Sequence, residues 1–340
     1  MKTHTFVTIL LVTCTLRATI AFAASPADRL LKQPEAWFRT HECEEILDNV
    51  LSWQSAHGDW PKNKDTTKAK YSGDRNRLEG TFDNGATTGE LRLLAKAFSV
   101  TGNEHYQAAF LKGLGHILAA QYENGGWPQY FPLSKNYHRH ITFNDGTMIR
   151  IMEFLRDVAS DADFTFVDPA RRHVAAAAVQ KGVDCILQCQ VVVHGKRTVW
   201  CAQHDEVTLA PVSARSYELA SLSGAESAGI LKFLISIPDP SPAVVAAVES
   251  GVAWFEQVKI EDVRYRKSRD QATLTADPDA PPLWARFYQI GTNRPFFCGR
   301  DGVMKFDIQE IESERRSGYA WYGTWGDSLL KSYAKWSAER

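Results

Sequence analysis

The 340-residue chain is 44% apolar and 23% charged, with 39 basic against 40 acidic side chains. These proportions exclude a disordered chain, and the near-neutral balance leaves no global positive field to draw a nucleic acid. Any acidic ligand must therefore be held by a local cluster of arginine, lysine or metal.

The N-terminal stretch MKTHTFVTILLVTCTLRATIAFAAS joins Lys2 to an apolar run over 6–16 and a small-residue site at Ala21-Phe22-Ala23. That is the pattern of a secretory leader, residues 1–23, and predicts a protein secreted to the extracellular space or periplasm. Arg17 interrupts an apolar run too short to span a bilayer. Without the leader the balance is 37 basic to 40 acidic, a net of −3, and five cysteines remain. Five is odd, so at least one thiol is unpaired within the chain. Buried thiols are the default, with Cys189–Cys201 a candidate bridge.

The remainder, 24–340, reads as one domain with room for a smaller irregular lobe. Three segments in it resemble one another: VLSWQSAHGDWPKN from Val50, ILAAQYENGGWPQYFP from Ile117 and ILQCQVVVHGKRTVWCAQHD from Ile186. Each has an apolar pair, then Gln54, Gln121 or Gln190, a glycine-containing loop, and Trp60, Trp127 or Trp200. A second element follows each loop. TFDNGATTGELRLLAKAF (81–98) and TFNDGTMIRIMEFLRDV (142–158) share Thr-Phe, an Asp/Asn pair and Gly before a helical apolar pattern, and 213–234 is a looser third copy. Further helices start at Asp168-Pro169 and Ser241-Pro242, each a capping residue followed by proline. VVVHGKRTVW, with its His194-Gly195 turn, is the one hairpin signal, and 265–282 reads as a variable loop. Three helix–loop–helix units closed by a C-terminal segment predict a mainly α fold, an α/α toroid of the (α/α)3 kind with long irregular loops and little β. A plain helical array is the alternative.

In a toroid the loops at one end ring a cleft. They bring Asp83, Asn84 and Glu90 from the first copy, Asn144 and Asp145 from the second, and Arg215 and Glu218 from the third, with Gln203, His204 and Asp205 nearby. Asp83 and Asp145 come from equivalent places and suit a hard cation such as Ca²⁺, although helix capping alone also explains them. The same pair would serve a glycoside hydrolase as acid and base. Against that stands the excess of arginine, Arg286, Arg294, Arg300 and Arg315 among them, because arginine binds carboxylates bidentately and a neutral sugar does not require it. Arg150 and Arg316 read as solvated surface charges. The basic loop 58–77, with Lys62, reads either as a lid over acidic substrate or as plain exposed chain. No nucleic-acid-binding module and no phosphate-binding glycine loop is present.

Taken together, GDWPKN, TFDNGATTGEL, ITFNDGTM, WCAQHDEVTLAPVSARSYELASLSGAES and NRPFFCGRDGVMKFDIQEIESERRSGYAWY resemble the pectate lyases of polysaccharide lyase family ten. The resemblance runs from about Trp53 to Trp325. It implies an (α/α)3 toroid that cleaves polygalacturonate by Ca²⁺-assisted β-elimination and leaves 4,5-unsaturated oligogalacturonates. By the same resemblance Arg300 is the base at C5, and Asp83 and Asp145 lie at the metal. Arg215, Arg286, Arg315, Lys62 and Asn84 contact substrate, while Arg294 has no assigned role. An arginine base requires either a guanidinium desolvated among other cations or proton sharing only in the transition state. The expected partner is an acidic polysaccharide rather than nucleic acid or membrane, and the expected state is a monomer. A glycoside hydrolase and a non-catalytic pectin-binding protein are the alternatives.

Overall fold

Each repeated glutamine is a clamp between neighbouring helices, buried at Gln54 and Gln190 and half-buried at Gln121. Gln54 Nε2 donates to Gly58 O at 3.0 Å in its own loop and to Ala109 O at 2.9 Å in the next unit. Gln121 does the same with Gly125 O and Ala178 O, and Gln190 with Thr198 O and Ala247 O. One amide thus satisfies two carbonyls that would otherwise be buried without donors.

The computed structural model describes residues 25–268 and 271–340; the expected leader lies outside them. Ten α-helices are seen among the described residues: α1 Pro26–Leu30, α2 His41–Ser52, α3 Thr88–Thr101, α4 Glu104–Ala119, α5 Thr147–Ser160, α6 Pro169–Cys189, α7 Gly224–Ile235, α8 Pro242–Gln257, α9 Ser313–Gly318 and α10 Trp325–Ala338. None is long and apolar enough to cross a membrane. The inner helices α3, α5, α7 and α10 stand side by side, and α4, α6 and α8 pack behind α3, α5 and α7. The three hairpins α3/α4, α5/α6 and α7/α8 make the α/α toroid that the repeats predict.

The caps follow the sequence grammar. Asp168 accepts from Arg171 N at 2.9 Å, Ser241 accepts from Val244 N, and each is followed by proline. Gly102, left-handed at φ 71°, closes α3, and Asn103 caps α4 directly after it.

The repeat count is four, one more than the sequence suggests. The indole of Trp60 donates to Val50 O, that of Trp127 to Ile117 O and that of Trp200 to Ile186 O, at 2.8, 2.9 and 2.7 Å. Trp284 donates to Phe255 O at 2.9 Å in the same way. All four rings are fully buried, each closing the end of α2, α4, α6 or α8. Inserted in the fourth unit is a hairpin, Val263–Lys267 against Ala272–Ala276 with Tyr265 opposite Leu274, in the stretch read as a variable loop. The expected hairpin is present too, pairing Val192 with Arg197 around a turn with positive φ at both His194 and Gly195.

All five cysteines of the described residues are free. The candidate Cys189–Cys201 bridge is therefore not formed: Cys189 Sγ faces Cys185 Sγ at 3.9 Å, and Cys201 Sγ accepts from Ser221 N.

Candidate active-site cleft

Successive repeats are zipped together at the residue two places after Trp127, Trp200 and Trp284. Phe82 N donates to Gln129 O, Phe143 N to Ala202 O and Gly224 N to Arg286 O, at 3.1, 2.9 and 3.0 Å. This place is held by Lys62, Gln129, Ala202 and Arg286 in the four units. Its three polar members reach the acids. Lys62 Nζ lies 2.5 Å from Asp83 Oδ2, Gln129 Nε2 donates to the same oxygen at 2.8 Å, and Arg286 Nη2 reaches Glu226 Oε1 at 2.7 Å and Asp145 Oδ1 at 3.4 Å.

Asp83–Gly85 and Asn144–Gly146 are matching single turns before α3 and α5. In each the middle residue is left-handed, Asn84 at φ 54° and Asp145 at φ 51°, a conformation that Asn and Asp tolerate better than other side chains. Asp83 is thus equivalent to Asn144, and Asp145 to Asn84. The two acids do not occupy equivalent places as the motifs suggested. Asp83 is the buried first residue of its turn, and Asp145 the more open second residue of the next.

The turns line an open cleft of about 500 Å³ together with Lys62, Gln129, Gln203, Arg215 and Glu218, so its wall is almost wholly polar. Asp83 Oδ1 is buried there without a hydrogen-bond partner. Asp145 Oδ2 accepts from Asn144 Nδ2 at 2.9 Å. An unpartnered carboxylate oxygen beside amide and carboxylate oxygens is a donor set that fits a hard divalent cation. His140, Asp205 and Glu206 also lie close together, but each already has partners within the protein. Glu206 binds Arg139 Nε and His140 Nδ1 at 2.5 and 2.9 Å, and Asp205 caps Val207 N and Thr208 N. His204 is buried and structural: Nδ1 bonds Leu209 O, Nε2 accepts from Cys201 N, and burial lowers its pKa to about 4.

Arg215 faces the cleft, clamped by both oxygens of Glu218, which also accepts from Tyr319 Oη at 2.8 Å. Burial raises the Glu218 pKa, but Arg215 and Tyr319 outweigh it and hold the carboxyl below its ordinary value. The other arginines are not among the lining residues. Arg215, Arg315 and Arg300 lie 4.9, 4.3 and 5.9 Å from the Tyr217 ring, and Arg286 and Arg315 lie 4.9 and 5.5 Å from that of Tyr319. Arg286 and Arg315 are nearly buried.

Arg300 differs from the expectation of a desolvated guanidinium. Its side chain is 62% exposed and paired with Glu314, Nη2 to Oε1 at 3.0 Å and Nε to Oε2 at 3.2 Å. That hydrogen-bonded pairing raises its pKa. In the rest of the NRPFFCGRDG segment Phe296 and Phe297 are buried, and Gly302 turns the chain at φ 72°. Arg294 stacks on Phe306, 3.7 Å from the ring centre.

Two further readings change. Arg150 is not a surface charge. Its guanidinium packs under the first turn, where a Cβ on Gly85 would sit 2.9 Å from Nη1, and burial lowers its pKa. The basic loop 58–77 is fastened rather than a loose lid: Asn49 Nδ2 holds Thr67 O, Trp53 Nε1 holds Ala69 O, and Thr66 Oγ1 donates to the buried Glu90.

Residues 54–330 match the sequence profile of a family described as pectic acid lyase. Among solved structures, the fold is similar to the family 10 polysaccharide lyase from Cellvibrio cellulosa, with 37% identity and a TM-score of 0.81, covering 89% of this chain and 96% of that one. An Asp-to-Ala variant of a family 10 polysaccharide lyase from the same organism, in complex with trigalacturonic acid, matches at 36% identity and the same TM-score, covering 89% of this chain and 97% of that one. No curated protein matches.

Proposed function

The chain belongs to the pectic acid lyase family, the polysaccharide lyases of family ten, and from that premise we propose that it is a secreted enzyme cleaving polygalacturonate by Ca²⁺-assisted β-elimination. The observation that carries this reading is the polar cleft holding Asp83, with one carboxylate oxygen buried and unpartnered, opposite cationic Lys62 and Arg215. The relative bound to trigalacturonic acid supports an acidic polysaccharide as substrate. The leader over 1–23 supports export, and Ala23 is the proposed end of the piece removed.

Asp83 and Asp145, with the amide oxygen of Asn144, are the ligands we assign to calcium, and Asn84 is assigned to substrate. When bound, the ion supplies positive charge that lowers the cost of negative charge developing beside a substrate carboxylate. Lys62 and Arg215 are the side chains we assign to that carboxylate, Arg215 with its Nε and Nη2 edge already held by Glu218. Arg286 acts from behind, where its contacts to Asn144 and Asp145 orient the second turn. Arg315 adds positive charge beneath the Tyr217 ring.

Arg300 is the proposed base. Once its own extra proton has gone to solvent it takes the C5 proton, the C5–H pair becomes the C4–C5 double bond, the C4–O bond breaks, and the leaving oxygen takes a proton from water. Because Glu314 stabilises the protonated guanidinium, this step requires Arg300 to leave Glu314 when substrate is bound, exchanging an exposed ion pair of small worth for the cleft. Incubation of the mature protein with polygalacturonate, with Ca²⁺ and with chelator, tests the reading. Elimination gives a rise in ultraviolet absorbance that chelator abolishes. New reducing ends without absorbance would indicate a glycoside hydrolase acting through Asp83 and Asp145. Binding without any product would indicate a pectin-binding protein.

A further inference from the structure

Asp83 is almost entirely buried, yet its carboxylate is not left without a cation: Lys62 Nζ sits 2.5 Å from Oδ2, while Oδ1 has no hydrogen-bond partner. A buried anion requires a compensating charge, and the chain supplies one of its own. We propose that Lys62 is the resident counter-cation of Asp83, so that a divalent cation binds there only when the ammonium withdraws. The inference rests on the calcium reading above.

Three observations place the movable charge at Lys62. First, of the two donors to Asp83 Oδ2, Gln129 is neutral and buried, so Lys62 alone carries charge. Second, the residue at the same place in the fourth repeat, Arg286, is only 11% exposed and held by Glu226, Asn144 and Asp145 at once. The Lys62 side chain is 26% exposed, lines the open cleft, and ends on a flexible stem rather than a fixed fork. Third, the chain leading to Lys62 is anchored. Trp60 is buried with both its indole and backbone N–H bonded, and Pro61 restricts the backbone. Withdrawal is then a side-chain rotation that moves no backbone.

A uronate carboxylate entering the cleft offers Lys62 a second partner. Sugar and metal should therefore assist each other: the sugar draws Lys62 away, and the metal replaces it at Asp83. Such coupling is reciprocal.

Titration calorimetry of the full-length mature protein with Ca²⁺ alone, then with Ca²⁺ in saturating trigalacturonic acid, tests this. In the wild type the sugar should tighten Ca²⁺ binding at least tenfold. In Lys62→Met, which keeps the length of the side chain and removes its charge, Ca²⁺ alone should bind at least tenfold tighter than in the wild type, and the added effect of sugar should shrink. Lys62→Gln, which keeps a donor for Asp83, should follow the same direction and covers the case in which the methionine variant unfolds. Equal Ca²⁺ affinity in wild type and both variants, with cleavage still abolished by chelator, would overturn the role of Lys62 and leave the calcium reading standing. Cleavage indifferent to chelator, with no Ca²⁺ binding by any of the proteins, would overturn both.

Discussion

Arg286 of the fourth repeat reaches Glu226 of the third at 2.7 Å and Asp145 of the second at 3.4 Å. One nearly buried guanidinium thus ties three repeats together behind the cleft, and its position on Trp284-Ala285-Arg286 is fixed by the same zipper that places Gln129. Burial works against its charge, but Glu226, Tyr319 and Asp145 more than offset this and raise its pKa.

Breaking that pair leaves a buried cation short of its main partner. Glu226→Gln keeps the shape, removes the charge, and should cost about 3 kcal/mol of stability. It should also weaken substrate turnover by loosening Asp145. Urea denaturation followed by fluorescence measures the first effect. A loss below about 1 kcal/mol would show that Asn144 and Asp145 alone suffice for Arg286.

Glu314 holds Arg300 protonated, since the pairing raises the arginine pKa and nothing buries the guanidinium. Arg300→Ala should abolish elimination while oligogalacturonate binding falls little. In Glu314→Gln the Arg300 pKa relaxes downward, so more neutral guanidine is present at any alkaline pH. The alkaline rise of kcat/KM, which reports the free enzyme in which the pair is closed, should therefore move to lower pH. An unchanged kcat/KM profile in Glu314→Gln would separate Glu314 from the base, and near-native turnover in Arg300→Ala would remove Arg300 from the chemistry.

The four tryptophans make a fold-level prediction. If Trp284 is the fourth member of the series, Trp→Phe should cost much the same at 60, 127, 200 and 284. Each loses one buried indole hydrogen bond and part of a packed ring, about 2–3 kcal/mol apiece. A cost at Trp284 far below the other three, in parallel urea denaturations, would end the equivalence.

The first three repeats are legible because each keeps a glutamine four residues after the carbonyl that the indole caps: Val50 and Gln54, Ile117 and Gln121, Ile186 and Gln190. In the fourth, the carbonyl belongs to Phe255 and the glutamine place holds Lys259, which pairs with Glu256 and Glu261 instead. The inserted hairpin then delays the tryptophan to position 284, so neither the residue nor the spacing marks the unit. Loop motifs likewise fix which side chains face the cleft but not their offset. DNG against NDG aligns the acids by letter, whereas the left-handed residue in each turn aligns Asp83 with Asn144. The state of Arg300 was hidden because its partner lies fourteen residues onward, on α9.

Two buried groups set opposite pH dependences. Glu90 accepts from Thr87 N and Thr66 Oγ1, and burial, helped by the charge of Asp28, raises its pKa from 4.5 to about 7. The folded protein then holds that proton more tightly than the unfolded chain. Its contribution to stability is full below about pH 4.5 and is lost as pH rises through 7, on the order of 3 kcal/mol in all. His204 is depressed from 6.5 to about 4. Its contribution is full above about pH 6.5 and is lost as pH falls through 4, by a similar amount. The two nearly cancel in the wild type between pH 4.5 and 6.5, so the test is a difference. Urea denaturation should show the stability of wild type relative to Glu90→Gln falling by about 3 kcal/mol between pH 4.5 and pH 8. A difference constant across that range would mean that Glu90 is ionised in the folded protein throughout, with Thr66 and Thr87 stabilising its charge enough to offset burial.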